Sequence, residues 1–330
     1  MRAGAGCATV GGMPRRALTV ALAGATLAAA AAAPASADSI VYVKNHNVWV
    51  MAPDGSKQRQ VTRDGTANAP YVSPSQADNG RIAAGKGYVI VVLNRKGRRL
   101  SRFVPRNLKD STGHSTAGQP TQLAISPDAK RIAYMLTSLS CDPTIDCGAR
   151  GTIGIVATRT GSHPPTVTQP GTYGGTDPDW VTNTRLMFHG GYLSQNRVFD
   201  LGGGESWNWF DDHEIHTGPV ESTDLGDGSV SADGRYYAAV RGYDATTHVV
   251  WYRVNGSILS GPNPGPPSEL CATNEDASIN DPSLAPDGSG IAIQDVDGIS
   301  VKRGLDDCEN PGFDVVAPGG SEPDWGRANP

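Results

Sequence analysis

The chain has 330 residues, of which 41 are glycine and 24 are proline, and its formal net charge is −5 at pH 7. This excess of turn-forming residues has no collagen-like period and indicates many short strands joined by many turns. The acidic balance argues against nucleic acid or an anionic membrane surface as partner, because both need a basic face.

The first 37 residues have the pattern of a secretory signal. The basic pair Arg15-Arg16 precedes an apolar, alanine-rich run, and Ala35-Ser36-Ala37 is a small-x-small cleavage site. The run is shorter than the roughly 20 residues that a membrane span needs. We therefore expect export, cleavage after Ala37 and no membrane span in the mature chain. An uncleaved anchor and a true start at Met13 are the alternatives.

One sequence pattern recurs along residues 38–330: a short strand, a turn of the Pro-Asp-Gly type and an apolar strand. Proline presets φ and glycine allows positive φ, so these residues suit tight turns. The period is roughly 50 residues, which fits four short strands and indicates a propeller. The copies lie at Ser73-Pro74-Ser75, Ser126-Pro127-Asp128, Asp177-Pro178-Asp179-Trp180, Ser231-Ala232-Asp233-Gly234, Ala285-Pro286-Asp287-Gly288 and Glu322-Pro323-Asp324-Trp325.

The two ends of the repeat complement each other. Ile40–Val43, Asn47–Met51 and Arg59–Thr62 resemble strands two to four of a blade, and Pro323-Asp324-Trp325 resembles a first strand without its blade. Pairing the ends would close the ring and remove two exposed sheet edges, which are aggregation hazards. We therefore expect an all-β fold: a six-bladed β-propeller of four-stranded blades, closed by its terminal strands. Seven blades are the alternative.

The repeat also carries a family resemblance. Val48-Trp49-Val50-Met51-Ala52-Pro53-Asp54-Gly55-Ser56, followed by Gln60-Val61-Thr62, resembles the repeat of TolB-like (WD40-like, PD40) propellers, as do the Pro-x-Trp turns. The resemblance covers residues 39–326. It implies the propeller part only, without the α/β domain that precedes the propeller in TolB. It implies no particular activity, because one fold hosts many functions.

Four cysteines follow the predicted signal: Cys141, Cys147, Cys271 and Cys308. An even number in an exported chain indicates two disulfides. Of the three possible connectivities we favour Cys141–Cys147 with Cys271–Cys308. No pair has the C-x-x-C spacing typical of zinc sites.

The densest cluster of aromatic, acidic and imidazole groups lies at residues 205–216. Tryptophans two apart share one face of a strand, where rings beside carboxylates can stack on a sugar, and the histidines with acids could hold a divalent metal. The alternative is that the tryptophans pack against the next blade and the polar groups belong to a loop. The candidate ligand-binding residues are Trp207, Trp209, Asp211, Asp212, His213 and His216.

The sequence contains no convincing nucleophile or acid–base pair. We therefore expect a monomeric, non-catalytic binding or scaffold propeller of the cell envelope or extracellular space, without cofactor or metal. Its partner would be a protein, peptide or glycan. The alternative is a glycan-active hydrolase or lyase with its site in the channel. Paired carboxylates in the channel would favour that alternative, and an apolar or basic channel mouth would count against it.

Overall fold

The computed structural model describes residues 38–109, 115–142, 146–162, 175–190, 196–216, 225–308 and 312–330. The predicted signal and its cleavage after Ala37 lie outside the described residues. Within the described part, no helix has the length and apolar character to cross a membrane.

The regular secondary structure of the described chain is β-strand, apart from two single-turn 3-10 helices at Asp212–Glu214 and Asp244–Thr246. In chain order the strands are β1 (Ser39–Lys44), β2 (Asn47–Met51), β3 (Arg59–Gln60), β4 (Tyr71–Gln76), β5 (Ile82–Lys86), β6 (Val89–Leu93), β7 (Arg99–Phe103), β8 (Leu108–Lys109), β9 (Ser115–Thr116), β10 (Thr121–Ile125), β11 (Arg131–Asp142), β12 (Asp146–Ala157), β13 (Thr176–Trp180), β14 (Arg185–His189), β15 (Asn196–Asp200), β16 (Trp207–Phe210), β17 (Leu225–Val230), β18 (Tyr236–Arg241), β19 (His248–Arg253), β20 (Ser268–Ala272), β21 (Asn280–Leu284), β22 (Gly290–Asp295), β23 (Gly298–Arg303), β24 (Asp314–Pro318) and β25 (Ser321–Gly326).

These strands form six antiparallel blades around a central channel, which confirms the predicted fold class. The sheet orders are β25-β1-β2-β3, β4-β5-β6-β7, β10-β11-β12, β13-β14-β15-β16, β17-β18-β19-β20 and β21-β22-β23-β24. The third blade has three strands within the described residues, and β8 and β9 pair as a separate ribbon. The first strand named in each order is the innermost strand of its blade.

The first blade joins the two ends of the chain, as the sequence predicted. In the pairing of β1 with β25, Ile40 lies opposite Trp325 and Val41 opposite Asp324. The ring is therefore closed by hydrogen bonds, and β1 has a partner on each side.

The hydrophobic cores lie between adjacent blades. Trp180 is buried and its Nε1 donates to Ala124 O of the preceding blade (3.0 Å). Trp251 likewise donates through Nε1 to Leu305 O of the following blade (2.8 Å). These two tryptophans therefore pack blade against blade.

One of the two predicted disulfides lies within the described side chains. Cys271 and Cys308 are bonded, with their Cα atoms 5.5 Å apart. The backbone register of β11 and β12 places Cys141 opposite Cys147, but their side chains lie outside the described part, so that disulfide stays a prediction. Residues 138–142 and 146–150 extend the pairing of β11 with β12 well beyond the rest of the blade.

Candidate functional site

The central channel is lined by the innermost strands β4, β10, β13, β17, β21 and β25. A cavity of about 370 Å³ opens where these strands begin, and a smaller cavity of about 80 Å³ lies toward their other end. Asp179, Ser229, Ser283 and Asp324 line both cavities, so the two form one channel with a wide and a narrow part. We call the wide part the channel mouth.

Two rings of side chains line this channel. The mouth ring takes one residue from each innermost strand, and the neck ring takes the residue two positions later. The mouth ring consists of Ser73, Gln122, Asp177, Asp227, Asp281 and Glu322, and the neck ring of Ser75, Ala124, Asp179, Ser229, Ser283 and Asp324.

Every mouth-ring residue has a left-handed backbone. The φ values are 44° at Ser73, 47° at Gln122, 51° at Asp177 and Asp227, 50° at Asp281 and 53° at Glu322. Each lies at a β-bulge, where the register to the second strand shifts. The left-handed region costs a residue with a Cβ roughly 1–2 kcal/mol. Repeated bulges re-aim side chains and are common beside functional sites.

Backbone hydrogen bonds join five of the six mouth-ring side chains to the next blade. Gln122 N donates to Ser73 Oγ (3.1 Å), and Ser73 N donates to Glu322 Oε2 (2.5 Å). Asp227 N donates to Asp177 Oδ2 (3.3 Å), and Asp281 N to Asp227 Oδ2 (2.6 Å). These side chains therefore hold neighbouring blades in register as well as line the channel.

The connection between the sixth and the first blade does not follow this pattern. Glu322 N donates to Gln294 Oε1 (2.9 Å) and not to the side chain of Asp281. The neck ring repeats the arrangement one layer deeper, as Val230 N donates to Asp179 Oδ2 (3.3 Å) and Gln76 N to Asp324 Oδ1 (3.3 Å). The same carboxylates thus line the channel and hold neighbouring blades together.

The channel mouth is strongly acidic. Its lining contains six carboxylates and, among the described residues, no lysine, arginine or histidine. Burial raises the pKa of Asp179 to about 6. Burial, with the charge of Asp177 adding to it, raises the pKa of Asp281 to about 6 and that of Asp227 well above its usual range.

The pKa values of the two β25 carboxylates, Glu322 and Asp324, are raised further than those of Asp179 and Asp281. Burial raises the pKa of Glu322 to about 7, and the nearby charge of Asp281 acts in the same direction. Burial also raises the pKa of Asp324 to about 7, with a smaller contribution from Asp179. A cation placed in the mouth would stabilise the charged forms and lower these pKa values.

The predicted cluster at 205–216 lies elsewhere, on and after β16, the outermost strand of the fourth blade. Trp209 is 2% exposed and donates through Nε1 to Gly265 O (2.9 Å). Asp212 is fully buried against Arg241, with Nε and Oδ2 2.7 Å apart. Both side chains belong to the packing between blades four and five.

The other four candidates are partly exposed. The Trp207 ring lies 5.6 Å from the Arg185 guanidinium, and Asp211 Oδ1 is 2.6 Å from His213 Nδ1. His216 Nδ1 is 3.8 Å from Glu269 Oε2. In the described part of the chain, no three His, Cys, Asp or Glu side chains are arranged to hold a metal ion. The structure therefore brings only fragments of the predicted cluster together.

Sequence reasoning misses the mouth ring although several of its members lie in the repeat. Asp177-Pro178-Asp179 and Glu322-Pro323-Asp324 belong to copies of the repeat, and the structure places both on innermost strands that line the channel. The available signal was an acidic residue at one fixed repeat position, at Asp177, Asp227, Asp281 and Glu322. A closed propeller directs one such position of every blade at the same axis.

No family model matches the chain, and no curated protein sequence matches it. Among solved structures, TolB from Acinetobacter baumannii aligns at 16% identity and a TM-score of 0.55, over 87% of this chain and 66% of that one. The chain thus spans just under two thirds of that TolB chain. A putative TolB from Agrobacterium tumefaciens aligns at 12% identity and a TM-score of 0.53, over 86% of this chain and 91% of that one.

A third match is a chain of a nidogen/laminin complex, at 7% identity and a TM-score of 0.57, over 87% of this chain and 98% of that one. At these identities the matches establish the fold alone. They confirm a propeller similar to that of TolB.

Proposed function

We propose that this propeller is a non-catalytic binding protein of the cell exterior that holds a cationic segment of a protein or peptide in its channel mouth. The observation that carries the proposal is a mouth of about 370 Å³ lined by six carboxylates. Concave sites with a few convergent polar groups are the usual place for ligands. Carboxylates in a site of low dielectric favour a cation strongly over a neutral group.

The region around the mouth supports a ligand larger than a single ion. β10 begins opposite Met135, whereas β11 and β12 continue past it as far as Asp142 and Asp146. At 3.3 Å per residue this hairpin projects roughly 20 Å beyond the end of the sheet where the mouth lies. A protein segment could contact the hairpin while its lysine or arginine enters the channel.

A protein partner is also favoured by the structural matches. One propeller of similar fold was solved in a complex of nidogen with laminin. Export is supported by the signal-like sequence before Asp38 and by the disulfide between Cys271 and Cys308, since such bonds persist in oxidising compartments.

The direct test is calorimetric titration of residues 38–330 with a lysine-rich peptide at pH 5.5, 7 and 8. We expect affinity to rise with pH, by about tenfold or more from pH 5.5 to 8. The reason is that Asp179 and Asp281 titrate near 6 and Glu322 and Asp324 near 7. At low pH these groups are neutral, and cation binding must first displace their protons.

The control is the same peptide with every lysine replaced by glutamine, which should bind weakly at each pH. A pH-independent affinity for the lysine peptide, or equal binding of the glutamine peptide, would contradict the proposal. Either result would show that the channel carboxylates do not select the ligand.

The same carboxylates favour a second candidate, a glycan hydrolase or lyase with its site in the channel. Asp179 and Asp324 come from blades on opposite sides of the ring, and both have raised pKa values, as a general acid requires. Turnover of an envelope or extracellular polysaccharide that is lost in Asp179→Asn would establish this candidate. Binding of the lysine peptide without any turnover would exclude it for the polymers tested.

A further inference from the structure

The neck ring lies where the channel narrows from a cavity of about 370 Å³ to one of about 80 Å³. On each innermost strand it comes two residues after the mouth ring, which corresponds to a depth of about 7 Å. A side chain that enters from the mouth therefore meets a second set of polar groups at a fixed distance below the first.

Five of the six neck-ring side chains present an oxygen atom that the next blade holds in place. Each of these oxygens accepts a hydrogen bond from a backbone N–H, at 2.8–3.3 Å. Because these bonds fix the side chains before a ligand arrives, little further ordering is needed on binding. The donor and acceptor residues are Ile125 and Ser75, Val230 and Asp179, Leu284 and Ser229, Trp325 and Ser283, and Gln76 and Asp324.

The neck ring carries negative charge on two opposite sides. Asp179 belongs to the fourth blade and Asp324 to the first. Burial raises the pKa of Asp179 to about 6 and that of Asp324 to about 7, so both are largely ionised at pH 8. Among the described residues, Arg327 is the one cation that lines the narrow cavity, and its half-exposed side chain lies 3.7 Å from Asp78 Oδ2. The neck carboxylates therefore have no cation of their own within the described channel lining.

The acceptors of the neck suit an ammonium group better than a guanidinium. A guanidinium is planar and pairs best with both oxygens of one carboxylate, side by side. One oxygen of Asp179 and one of Asp324 already accept a backbone hydrogen bond. An ammonium group has three donors that point in different directions, and the neck places acceptors all around the channel axis.

The depth of the neck matches the length of a lysine side chain. Lysine carries its ammonium on a flexible four-carbon stem, which is about 6 Å long when extended. The Cα atom of the lysine can therefore stay at the level of the mouth ring while the ammonium reaches the neck ring. Removing one carbon from the stem would withdraw the ammonium by roughly 1.3 Å.

We propose that the channel selects lysine over arginine by holding the lysine ammonium in the neck ring, between Asp179 and Asp324 and against the serine oxygens. This inference rests on the proposed function and deepens it, because it names the side chain that the partner inserts. The carboxylates of the mouth ring then face the main chain around that lysine and attract the segment by their charge.

Fluorescence anisotropy at pH 8 with three labelled peptides tests this selection. Each peptide is an acetylated and amidated glycine–serine sequence with one central lysine, arginine or ornithine, the last being lysine shortened by one carbon. The three peptides carry the same charge, so differences in affinity report fit and not general attraction. We expect the wild type to bind the lysine peptide at least about tenfold more tightly than either of the others.

The variant Asp179→Asn/Asp324→Asn places the preference in the neck ring. Its amide oxygens can still accept the two hydrogen bonds between blades, and circular dichroism with the urea midpoint establishes that it is folded. We expect it to bind the lysine and arginine peptides with affinities within about twofold of each other. Glu205→Gln/Glu275→Gln makes the same change in net charge at exposed sites away from the channel and should keep the full preference for lysine.

The peptide series separates failure of this inference from failure of the proposed function. A wild type that binds the lysine and arginine peptides equally would overturn the selection by the neck ring and leave the proposed function standing. A wild type that binds none of the three peptides would contradict both. An undiminished preference for lysine in the folded Asp179→Asn/Asp324→Asn variant would also overturn the inference, since the selecting groups would then lie elsewhere.

Discussion

A chain that ends at Gly320, and so lacks β25, is expected to lose cooperative folding. β25 pairs with β1 and places Trp325, which is 5% exposed, in the core shared by the first and sixth blades. Losing a buried tryptophan alone costs about 3–5 kcal/mol, and the total stability of a domain is about 5–15 kcal/mol. The strand also supplies backbone pairing and the interblade bond from Trp325 N to Ser283 Oγ (2.8 Å). Urea unfolding followed by tryptophan fluorescence should show no sigmoidal transition.

A circular permutant distinguishes the effect of removing β25 from the effect of changing where the chain begins and ends. Ser39 Oγ donates to Ala328 O (2.6 Å), so the ends of the described propeller are adjacent and a short linker can join them. New ends between Ala67 and Asn68 lie in an exposed turn. This permutant keeps β25 and should unfold cooperatively, with a midpoint close to that of residues 38–330. A folded truncation beside an unfolded permutant would refute the closure argument.

Arg241→Met is expected to destabilise the protein by about 3–5 kcal/mol, because it leaves a buried charge without its partner. The Arg241 side chain is 2% exposed, and its Nε lies 2.7 Å from Oδ2 of Asp212. Its Nη2 lies 2.6 Å from Oε2 of Glu269, and Tyr252 Oη donates to Asp212 Oδ1 (2.7 Å). The change in the free energy of unfolding can be measured by urea titration.

Two further variants test that explanation. In Arg241→Met/Asp212→Leu both buried charges are removed, and most of the lost stability should return, since an apolar replacement of a buried ion pair is often neutral. Arg253→Met breaks the exposed ion pair with Asp306 and should cost less than about 1 kcal/mol. If the double variant were no more stable than Arg241→Met, the loss would reflect packing and not an orphaned carboxylate.

The propeller was predictable because its signals are local and repeated. Proline and glycine mark the turns at a steady interval, and Asp54, Asp128, Asp233 and Asp287 each accept a hydrogen bond from a backbone N–H of their own turn. The incomplete blade at each end likewise indicated closure, and β1 and β25 do pair.

The binding surfaces were less predictable because they depend on contacts between distant segments. The mouth ring varies among serine, glutamine, aspartate and glutamate, so no motif identifies it, and its charge becomes concentrated only when six blades meet. Strand periodicity places Trp207 and Trp209 on one face but cannot show that this face packs under the loop at Gly265. The structural role of Asp212 was equally hard to predict from the sequence, because its partner Arg241 is 29 residues away.

The most direct test of the channel proposal is the affinity of the lysine-rich peptide for Asp281→Asn/Glu322→Gln at pH 8. The amides keep the shape of the mouth, and the amide oxygen introduced by Glu322→Gln can still accept from Ser73 N, so the bond between the blades is kept. Glu205→Gln/Glu275→Gln, two exposed residues away from the mouth, is the matched control. We predict that the mouth variant binds at least about tenfold more weakly and the control binds like the wild type. Unchanged affinity in the mouth variant, with the fold intact, would contradict the proposed function.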